Sequence, residues 1–185
     1  MGKIKFQNID TDRLILRKFK ITDAESFLYY RTNPKVALYQ SSDWLNYTMD
    51  KALEFATRQG NNEPGIPGDW FQIAVELKSN GKLIGDCAIH TLQNDPRQVE
   101  IGYTISPEYQ NMGYAMEAVK ALLDYLFKDL NMHRVIAVAD VRNSSSVKLM
   151  EKLGMRREAH FLKNELDNGE YIDEYSYALL NEEWK

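Results

Sequence analysis

The strongest constraint on the fold is a change of hydrophobic period close to residue 106. Before it, one segment alternates apolar and polar residues, with a shared apolar face: Phe71, Ile73, Val75 and Leu77. Residues 82–90 and 98–105 also read as strands, and Asn80-Gly81 supplies a hairpin turn. From Gly113 onward, apolar residues recur three or four positions apart. The pattern predicts a three-stranded antiparallel meander followed by a long one-sided helix.

Turn and cap residues extend this prediction over the rest of the chain. Thr22 and Glu25 form a capping-box pattern, with Ile21 as the staple residue. The other predicted elements are a strand at 13–17, helices at 22–33 and 48–60, a strand at 134–139, a short helix at 143–154, and two strands that turn at 167–169. The predicted order is β-α-α-β-β-β-α-β-α-β-β. It indicates an α+β class with a mixed sheet, because strict alternation of strands and helices is missing.

Length and composition exclude several classes of protein. A chain of 185 residues with 44% hydrophobic and 27% charged residues is typical of a single globular domain, here residues 1–185. The net charge of −4 provides no general attraction for nucleic acid or for an anionic membrane. The single cysteine excludes an internal disulfide and a multi-cysteine metal site. Because residues 1–10 carry no apolar leader pattern, we expect a cytoplasmic protein.

A strand, a turn and the sequence QNMGYA (110–115) lead directly into the one-sided helix. The first amides of a helix lack internal partners and carry a partial positive charge, so an anion binds well there. Gly113 and Ala115 are small enough for a diphosphate to approach the backbone. Close packing of the helix on the sheet would also require small residues at these two positions. Neither the Walker pattern nor the three-glycine Rossmann pattern is present.

The motifs together resemble the GCN5-related N-acetyltransferase (GNAT) family, and within it the ribosomal-protein N-acetyltransferase (RimJ/RimL-type) branch. The resemblance is carried by TDRLILR (11–17), EIGY (100–103), QNMGYA (110–115) with Glu117-Ala118, NSSS (143–146), EKLGM (151–155) and GEYIDEY (169–175). It implies an acetyl-CoA-dependent acyltransferase that needs no metal. It further implies a mostly antiparallel, twisted sheet of six to seven strands with about four flanking helices.

The resemblance also implies which residues hold acetyl-CoA. The pyrophosphate loop consists of Gln110, Asn111, Met112, Gly113, Tyr114 and Ala115. The preceding strand would carry a bulge and splay from its neighbour. Free backbone groups of Tyr103, Thr104 and Ile105 would then bond the pantetheine arm and the acetyl group. Asn143 would contact the coenzyme, although asparagine is also a common helix N-cap. Ser146 would face the coenzyme sulfur as a catalytic residue and hydrogen-bond the departing thiolate, with Tyr103 and Tyr114 as the alternatives for this role.

An acyl-CoA is already activated, so a neutral amine attacks it directly and no enzyme nucleophile is needed. Cys87, in an apolar strand, is therefore expected to be a core residue. Glu165, Glu100 and His160 are the candidates for the general base, with Glu165 first by its match to the ribosomal-protein branch.

The acceptor amine stays open at this point. A protein N-terminus leads, and a small amine such as a polyamine, an amino acid or an antibiotic is the rival. From other classes, a non-catalytic acyl-CoA-binding module and a dinucleotide-binding oxidoreductase were weighed. The latter lacks its glycine fingerprint. A homodimer is left open.

Overall fold

The structure, a computed structural model, describes residues 5–40, 42–167 and 169–185. Its strands are β1 (Ile9–Asp10), β2 (Leu14–Arg17), β3 (Trp70–Leu77), β4 (Lys82–Thr91), β5 (Gln98–Ile105), β6 (Arg134–Asp140), β7 (Arg156–Asp167) and β8 (Glu170–Leu180). Its helices are α1 (Ala24–Arg31), α2 (Pro34–Ala37), α3 (Met49–Asn61), α4 (Tyr114–Asp124) and α5 (Ser144–Lys152). Short 3-10 turns precede α1, α3 and α4, and a π-helical turn, Tyr125–Asp129, extends α4.

The strands form a single sheet in the order β1-β2-β3-β4-β5-β6-β8-β7. Every neighbouring pair is antiparallel except β5 and β6. That parallel pair is short, running from Gln98–Arg134 to Glu100–Ile136. Beyond Glu100 the two strands separate, because the rest of β6 pairs only with β8. The sheet is therefore hydrogen-bonded between β5 and β6 at the Gln98 end of β5 and split between these two strands at its Ile105 end.

Helices α4 and α5 cover one face of the sheet, called here the α4 face. Alternate apolar residues of β3, β4, β5 and β6 point to this face, among them Ile73, Ile89, Ile101 and Val135. Leu122 of α4 is fully buried against the same core. Each such aliphatic side chain contributes about 1.5–3 kcal/mol when it leaves water. This core fixes where α4 begins relative to β5.

Helices α1, α2 and α3 cover the opposite face, called here the α1–α3 face. Its core is smaller and rich in aromatic residues: the Phe27 and Phe55 rings stack with centroids 4.4 Å apart, and the Trp44 ring lies edge-on to Phe27 at 5.8 Å. Thr48 caps α3, its hydroxyl accepting from the Lys51 amide at 3.4 Å. The aromatic cluster leaves one side of this face open beside β5.

The predicted mixed α+β class is confirmed, with two elements added. Strand β1 has only two residues, too few to show alternation, and it brings the sheet to eight strands rather than six to seven. The first predicted helix, at 22–33, stops directly before Pro34. Pro34 itself begins a helix, because Pro at the first helical position is tolerated and the Asn33 side chain caps the Lys35 amide at 3.0 Å. Five α-helices are therefore described rather than about four.

The predicted Thr22–Glu25 capping box is wrong. Residues Ile21–Asp23 form a 3-10 turn, and the Asp23 carboxylate accepts from the Lys20 amide at 2.7 Å. Asp23 also forms a buried ion pair with Arg17 at 2.7 Å, which is why it takes the cap position. Ile21 is 58% exposed and does not act as a staple. Asn168 of the predicted final turn, and residues 1–4, lie outside the described residues. Among the described helices, none has the length and apolar character needed to cross a membrane.

Candidate active site

The QNMGYA loop joins the 3-10 turn Pro107–Tyr109 to the first turn of α4. Gly113 is the N-cap of α4 and has φ 83°, a left-handed conformation that other residues adopt only with strain. Asn111 is also left-handed, with φ 60°. Met112 is 54% exposed, and Tyr114 packs against Tyr109. The loop thus turns its side chains aside and leaves backbone amides at the helix N-terminus, an arrangement that fits a diphosphate.

A segment far away in the sequence braces this loop. The Arg13 guanidinium donates to the Met112 carbonyl at 3.0 Å and to the Glu117 carboxylate at 2.6 Å, and it lies 4.4 Å from the Tyr114 ring centre. Glu117 also accepts from the Thr11 hydroxyl at 2.6 Å. Partial burial raises the pKa of Glu117, but the hydrogen bonds from Thr11 and Arg13 outweigh it and lower the pKa overall. These contacts explain why TDR and Glu117 occur together in the motif set.

The Gln110 side chain contacts the last residue of β5. Its Nε2 donates to the Ile105 carbonyl at 2.9 Å. The Ile105 carbonyl therefore has one partner inside the protein, and coenzyme binding by the backbone of 103–105 stays a prediction. Gln110 is a bracing residue in this structure, because its amide is engaged inside the protein.

The separation of β5 from β6 opens a cleft of about 970 Å³ that reaches both faces of the sheet. On the α4 face it is lined by Tyr103 and Ser146, and on the α1–α3 face by Glu100, Gln72 and Thr104. The splay of β5 agrees with the expectation from the motifs. The expected bulge does not occur, because β5 pairs with β4 without a register shift from Gly85–Ile105 to Thr91–Val99. Loss of the parallel partner is enough to open the gap.

Tyr103 and Ser146 meet on the α4 face of this cleft. Their hydroxyl oxygens lie 2.7 Å apart. Burial raises the pKa of Tyr103 to about 12, although its hydrogen bond with Ser146 opposes this shift. The Asn143 side chain accepts from the Ser146 amide at 3.1 Å, so it caps α5. Asn143 lines the cleft as well, and both roles considered for it from the sequence are compatible with its position.

Glu100 lies where β5 and β6 begin to separate, half-buried and on the α1–α3 face of the cleft. Burial raises the pKa of its carboxyl group. The Glu174 charge acts in the same direction, and His90 opposes it. A carboxylate with a raised pKa inside a cleft is a stronger base than an exposed one. Of the predicted bases, Glu100 therefore has the most favourable surroundings.

The other two candidates for the base lie further out. Glu165 is an exposed residue of β7 that lines the outer part of the cleft, opposite Ile172 of β8. His160 is outside the cleft lining, with its Nε2 3.1 Å from the Asp173 carboxylate. The structure thus brings Glu100 and Glu165 to one cleft and leaves His160 apart.

A buried polar network beneath the cleft gave no recognisable signal in the sequence. Asp86, 1% exposed, accepts from the Tyr30 hydroxyl at 2.5 Å and from the Arg31 guanidinium at 2.6 Å. Arg31 also donates to Gln40 at 2.5 Å, and the Gln40 amide donates to the Thr104 hydroxyl at 2.7 Å. The network connects α1 and the segment after α2 to the splayed part of β5. It fixes the wall of the cleft on the α1–α3 face.

Cys87 lies outside the lining of the cleft. Cys87 is fully buried in the core of the α4 face, and burial raises the pKa of its thiol. Among the described residues, no group of three His, Cys, Asp or Glu side chains is placed to hold a metal ion.

The helix N-terminus that follows β5, together with the cleft where β5 separates from β6, is compatible with an enzyme that transfers a group between two substrates. The chain belongs to the GNAT acetyltransferase family: the Acetyltransferase (GNAT) domain matches residues 13–156. It is 36% identical to an uncharacterized N-acetyltransferase, YnaD, of Bacillus subtilis over 96% of this chain and 99% of YnaD. A GNAT-family acetyltransferase from Bacillus anthracis is 34% identical, with a TM-score of 0.85 over 96% of this chain and 100% of that one.

Two shorter matches have different substrates in their names. A putative ribosomal N-acetyltransferase, YdaF, of Bacillus subtilis is 33% identical over 61% of this chain and 62% of its own length. Spermidine N(1)-acetyltransferase of Escherichia coli is 30% identical over 58% of each chain. The relatives agree with the RimJ/RimL-like branch and with an N-acetyltransferase that uses acetyl-CoA. They differ in the acceptor amine.

Proposed function

We propose that this protein transfers the acetyl group of acetyl-CoA to a primary amine by direct attack in a ternary complex, with a protein N-terminal α-amine as the acceptor. The observation that carries the proposal is the cleft that passes through the sheet between β5 and β6. It allows the donor to enter from the α4 face and the acceptor from the α1–α3 face.

On the donor side, the amides at the start of α4 would bind the diphosphate, and Gly113 would let it approach the backbone. The thioester would lie along the β6 side of β5, near Tyr103 and Thr104, where β6 no longer pairs. A backbone amide of this strand is the candidate donor to the oxyanion, because a fixed donor in a dry site acts strongly.

The chemistry requires one bond to form and one to break. The amine nitrogen attacks the thioester carbonyl carbon, and the C–S bond then breaks with its electron pair on sulfur. Glu100 would take the proton released from nitrogen, since it lies in the gap and its pKa is raised by burial. Glu165 is retained as the second candidate for this role, at the outer part of the cleft.

The bases available in the cleft favour an α-amine. None of the histidines among the described residues lines it, so the candidate bases are carboxylates. At pH 7 an α-amine of pKa about 8 costs roughly 1.4 kcal/mol to deprotonate, whereas a lysine-like amine near 10.4 costs roughly 4.6 kcal/mol. A carboxylate base suits the first amine better. The name of the YdaF relative, a putative ribosomal N-acetyltransferase, supports a protein as the acceptor.

A second acceptor, a small polyamine, is favoured by the charge of the cleft. Glu100, Glu165 and Glu174 all line it, and the Glu174 charge raises the pKa of Glu100. A second cationic group on the acceptor would relieve this repulsion. Binding that depends on such charges weakens as salt increases.

Thiol release from acetyl-CoA in the presence of defined amines tests the proposal. We expect release with a short peptide that has a free α-amine, and none with the same peptide after N-terminal blocking. Spermidine supplied in parallel separates the two acceptors. Tight binding of acetyl-CoA without release for any amine would indicate a non-catalytic module and overturn the proposal.

A further inference from the structure

The hydroxyl groups of Tyr103 and Ser146 form the only hydrogen bond between two side chains that joins β5 to α5 among the described residues. Their oxygens lie 2.7 Å apart, and the Tyr103 oxygen is also 3.4 Å from the Ser146 carbonyl oxygen. Both residues line the cleft where β5 has lost its parallel partner. The contact therefore joins the splayed strand to the first turn of α5 at the place proposed for the thioester.

The direction of this hydrogen bond follows from acidity. The geometry allows either hydroxyl to donate, and because a phenol is a stronger acid than an aliphatic alcohol, acidity favours Tyr103 as the donor and the Ser146 oxygen as the acceptor. Burial raises the pKa of Tyr103 to about 12, which keeps the phenol protonated at neutral pH. The Ser146 amide is itself fixed, because it donates to the Asn143 side chain at 3.1 Å. With its oxygen occupied by Tyr103, the serine has its own proton left to donate into the cleft.

We propose that Tyr103 is a positioning residue that holds the Ser146 hydroxyl with its proton directed at the departing sulfur. The inference rests on the proposed function, since it concerns the leaving group of the same reaction. Tyr103 acts through Ser146 and keeps its own proton throughout.

The proton balance is as follows. When the C–S bond breaks, its electron pair stays on sulfur, and the thiolate accepts a hydrogen bond from Ser146. The attacking amine gives its proton to the base, and the released thiolate, with a pKa near 8.5 for an ordinary thiol, takes a proton from solvent at neutral pH. A phenol of pKa about 12 is a weaker acid than that thiol, so Tyr103 is unsuited to protonate it directly.

The test compares Tyr103→Phe, Ser146→Ala and the double variant by steady-state thiol release from acetyl-CoA with the best amine found for the wild type. We expect Tyr103→Phe to lower kcat about tenfold, the effect of losing one hydrogen bond in the transition state. The KM for acetyl-CoA and the thermal midpoint should stay unchanged. The double variant should be no slower than Ser146→Ala, because Tyr103 has no other route of action.

A matched control comes from the other end of α5. The Tyr177 hydroxyl donates to Glu151 at 3.1 Å, and neither residue lines the cleft. Tyr177→Phe should leave kcat unchanged. An equal loss in Tyr177→Phe would mean that any tether of α5 matters, and this would overturn the inference.

Two further results also contradict it. If the two single losses multiply in the double variant, Tyr103 acts independently of Ser146. If a basic limb of the kcat–pH profile of the wild type disappears in Tyr103→Phe, the phenol is the acid. Absence of amine-dependent release by the wild type would instead overturn the proposed function, and the inference with it.

Discussion

The α4 face builds its binding loop from consecutive residues, whereas the α1–α3 face builds the wall of the cleft from distant ones. Residues 110–115 and the start of α4 form one continuous unit. The opposite wall depends on Asp86 of β4, Tyr30 and Arg31 of α1, and Gln40 after α2. A site made of backbone suits a donor that is always the same molecule, acetyl-CoA. A site made of side chains suits an acceptor amine that differs from one relative to another.

The two faces also differ in how strongly each depends on individual side chains. Backbone amides at a helix N-terminus are present whenever the helix forms, so the donor site needs few particular side chains. The buried Arg31–Asp86 pair depends on both partners, because removal of one leaves an uncompensated charge. We therefore expect substitutions in the loop at 110–115 to affect coenzyme affinity, and those in the buried network of the α1–α3 face to affect stability and the acceptor.

The largest expected effect on the α4 face is that of Gly113→Glu. The carboxylate would stand at the helix N-terminus beside the bound diphosphate, and the left-handed φ of 83° disfavours any side chain. We expect acetyl-CoA affinity, measured by calorimetry, to fall at least about a thousandfold, or about 4 kcal/mol.

Gly81→Glu is the matched control for this variant. Gly81 also has a positive φ, 68°, with no atom within 4 Å of an added Cβ, and it lies in the turn between β3 and β4. It carries a similar strain and the same charge but should bind acetyl-CoA normally. Unchanged affinity in Gly113→Glu would show that the loop is not the coenzyme site.

On the other face, Asp86→Asn should have its main effect on stability. It leaves the Arg31 guanidinium buried without its counter-charge, and breaking a buried pair typically costs about 3–5 kcal/mol. Because asparagine keeps one acceptor oxygen, we expect the lower end, about 3 kcal/mol, by urea unfolding.

Asp95→Asn tests the specificity of that effect, since Asp95 pairs with Arg97 on the surface. It should cost no more than about 1 kcal/mol. Equal destabilisation by both variants would mean that the buried network does not fix the α1–α3 wall.

The sequence predicted the α4 face better than the α1–α3 face for a physical reason. The one-sided helix from Gly113 and the alternation of β3, β4 and β5 are local patterns that the structure retains. Contacts between residues far apart in the chain produce no periodic pattern in the sequence. Arg13 reaches the loop from just before β2, and Asp86 meets Arg31 across 55 residues, so neither could be placed from spacing alone.

Two errors show how tertiary contacts override local signals. Thr22 fitted a capping box, but Asp23 caps the turn because it also pairs with the buried Arg17. Residues 103–105 resembled a bulged strand, but the loss of pairing to β6 opens the gap without any register shift. The motifs predict the donor side, which stays a prediction, and the ranking of the bases comes from the structure. Burial favours Glu100, whereas the motif match favoured Glu165.

Glu100→Gln tests this ranking of the bases. A positioned general base typically contributes at least about a hundredfold, so kcat/KM should fall about a hundredfold, or about 2.7 kcal/mol. A base works only when deprotonated. Because the pKa of Glu100 is raised, wild-type activity should rise with pH through that raised value and be lost as pH falls through it. The glutamine variant should lack this acidic limb while binding acetyl-CoA normally.

Glu165→Gln removes the same charge from an exposed strand of the same cleft and serves as the comparison. We expect a change of a fewfold at most, mainly in the KM of the acceptor. Should Glu165→Gln lose the acidic limb and Glu100→Gln keep it, the roles of the two glutamates would be exchanged, and the outer end of the cleft would be the reaction centre.

The smallest expected effect concerns the brace of the loop. Arg13→Met removes the hydrogen bond to the Met112 carbonyl and the ion pair with Glu117, but it leaves the backbone amides of α4 in place. We expect acetyl-CoA affinity to fall about fivefold, or about 1 kcal/mol, which is the usual effect of losing one ordinary hydrogen bond.

Arg156→Met, which breaks exposed pairs with Glu158 and Glu183, should leave affinity unchanged. A loss in Arg13→Met as large as in Gly113→Glu would mean that a distant side chain, and not the continuous loop, is the main determinant of donor binding. The contrast between the two faces would then not hold.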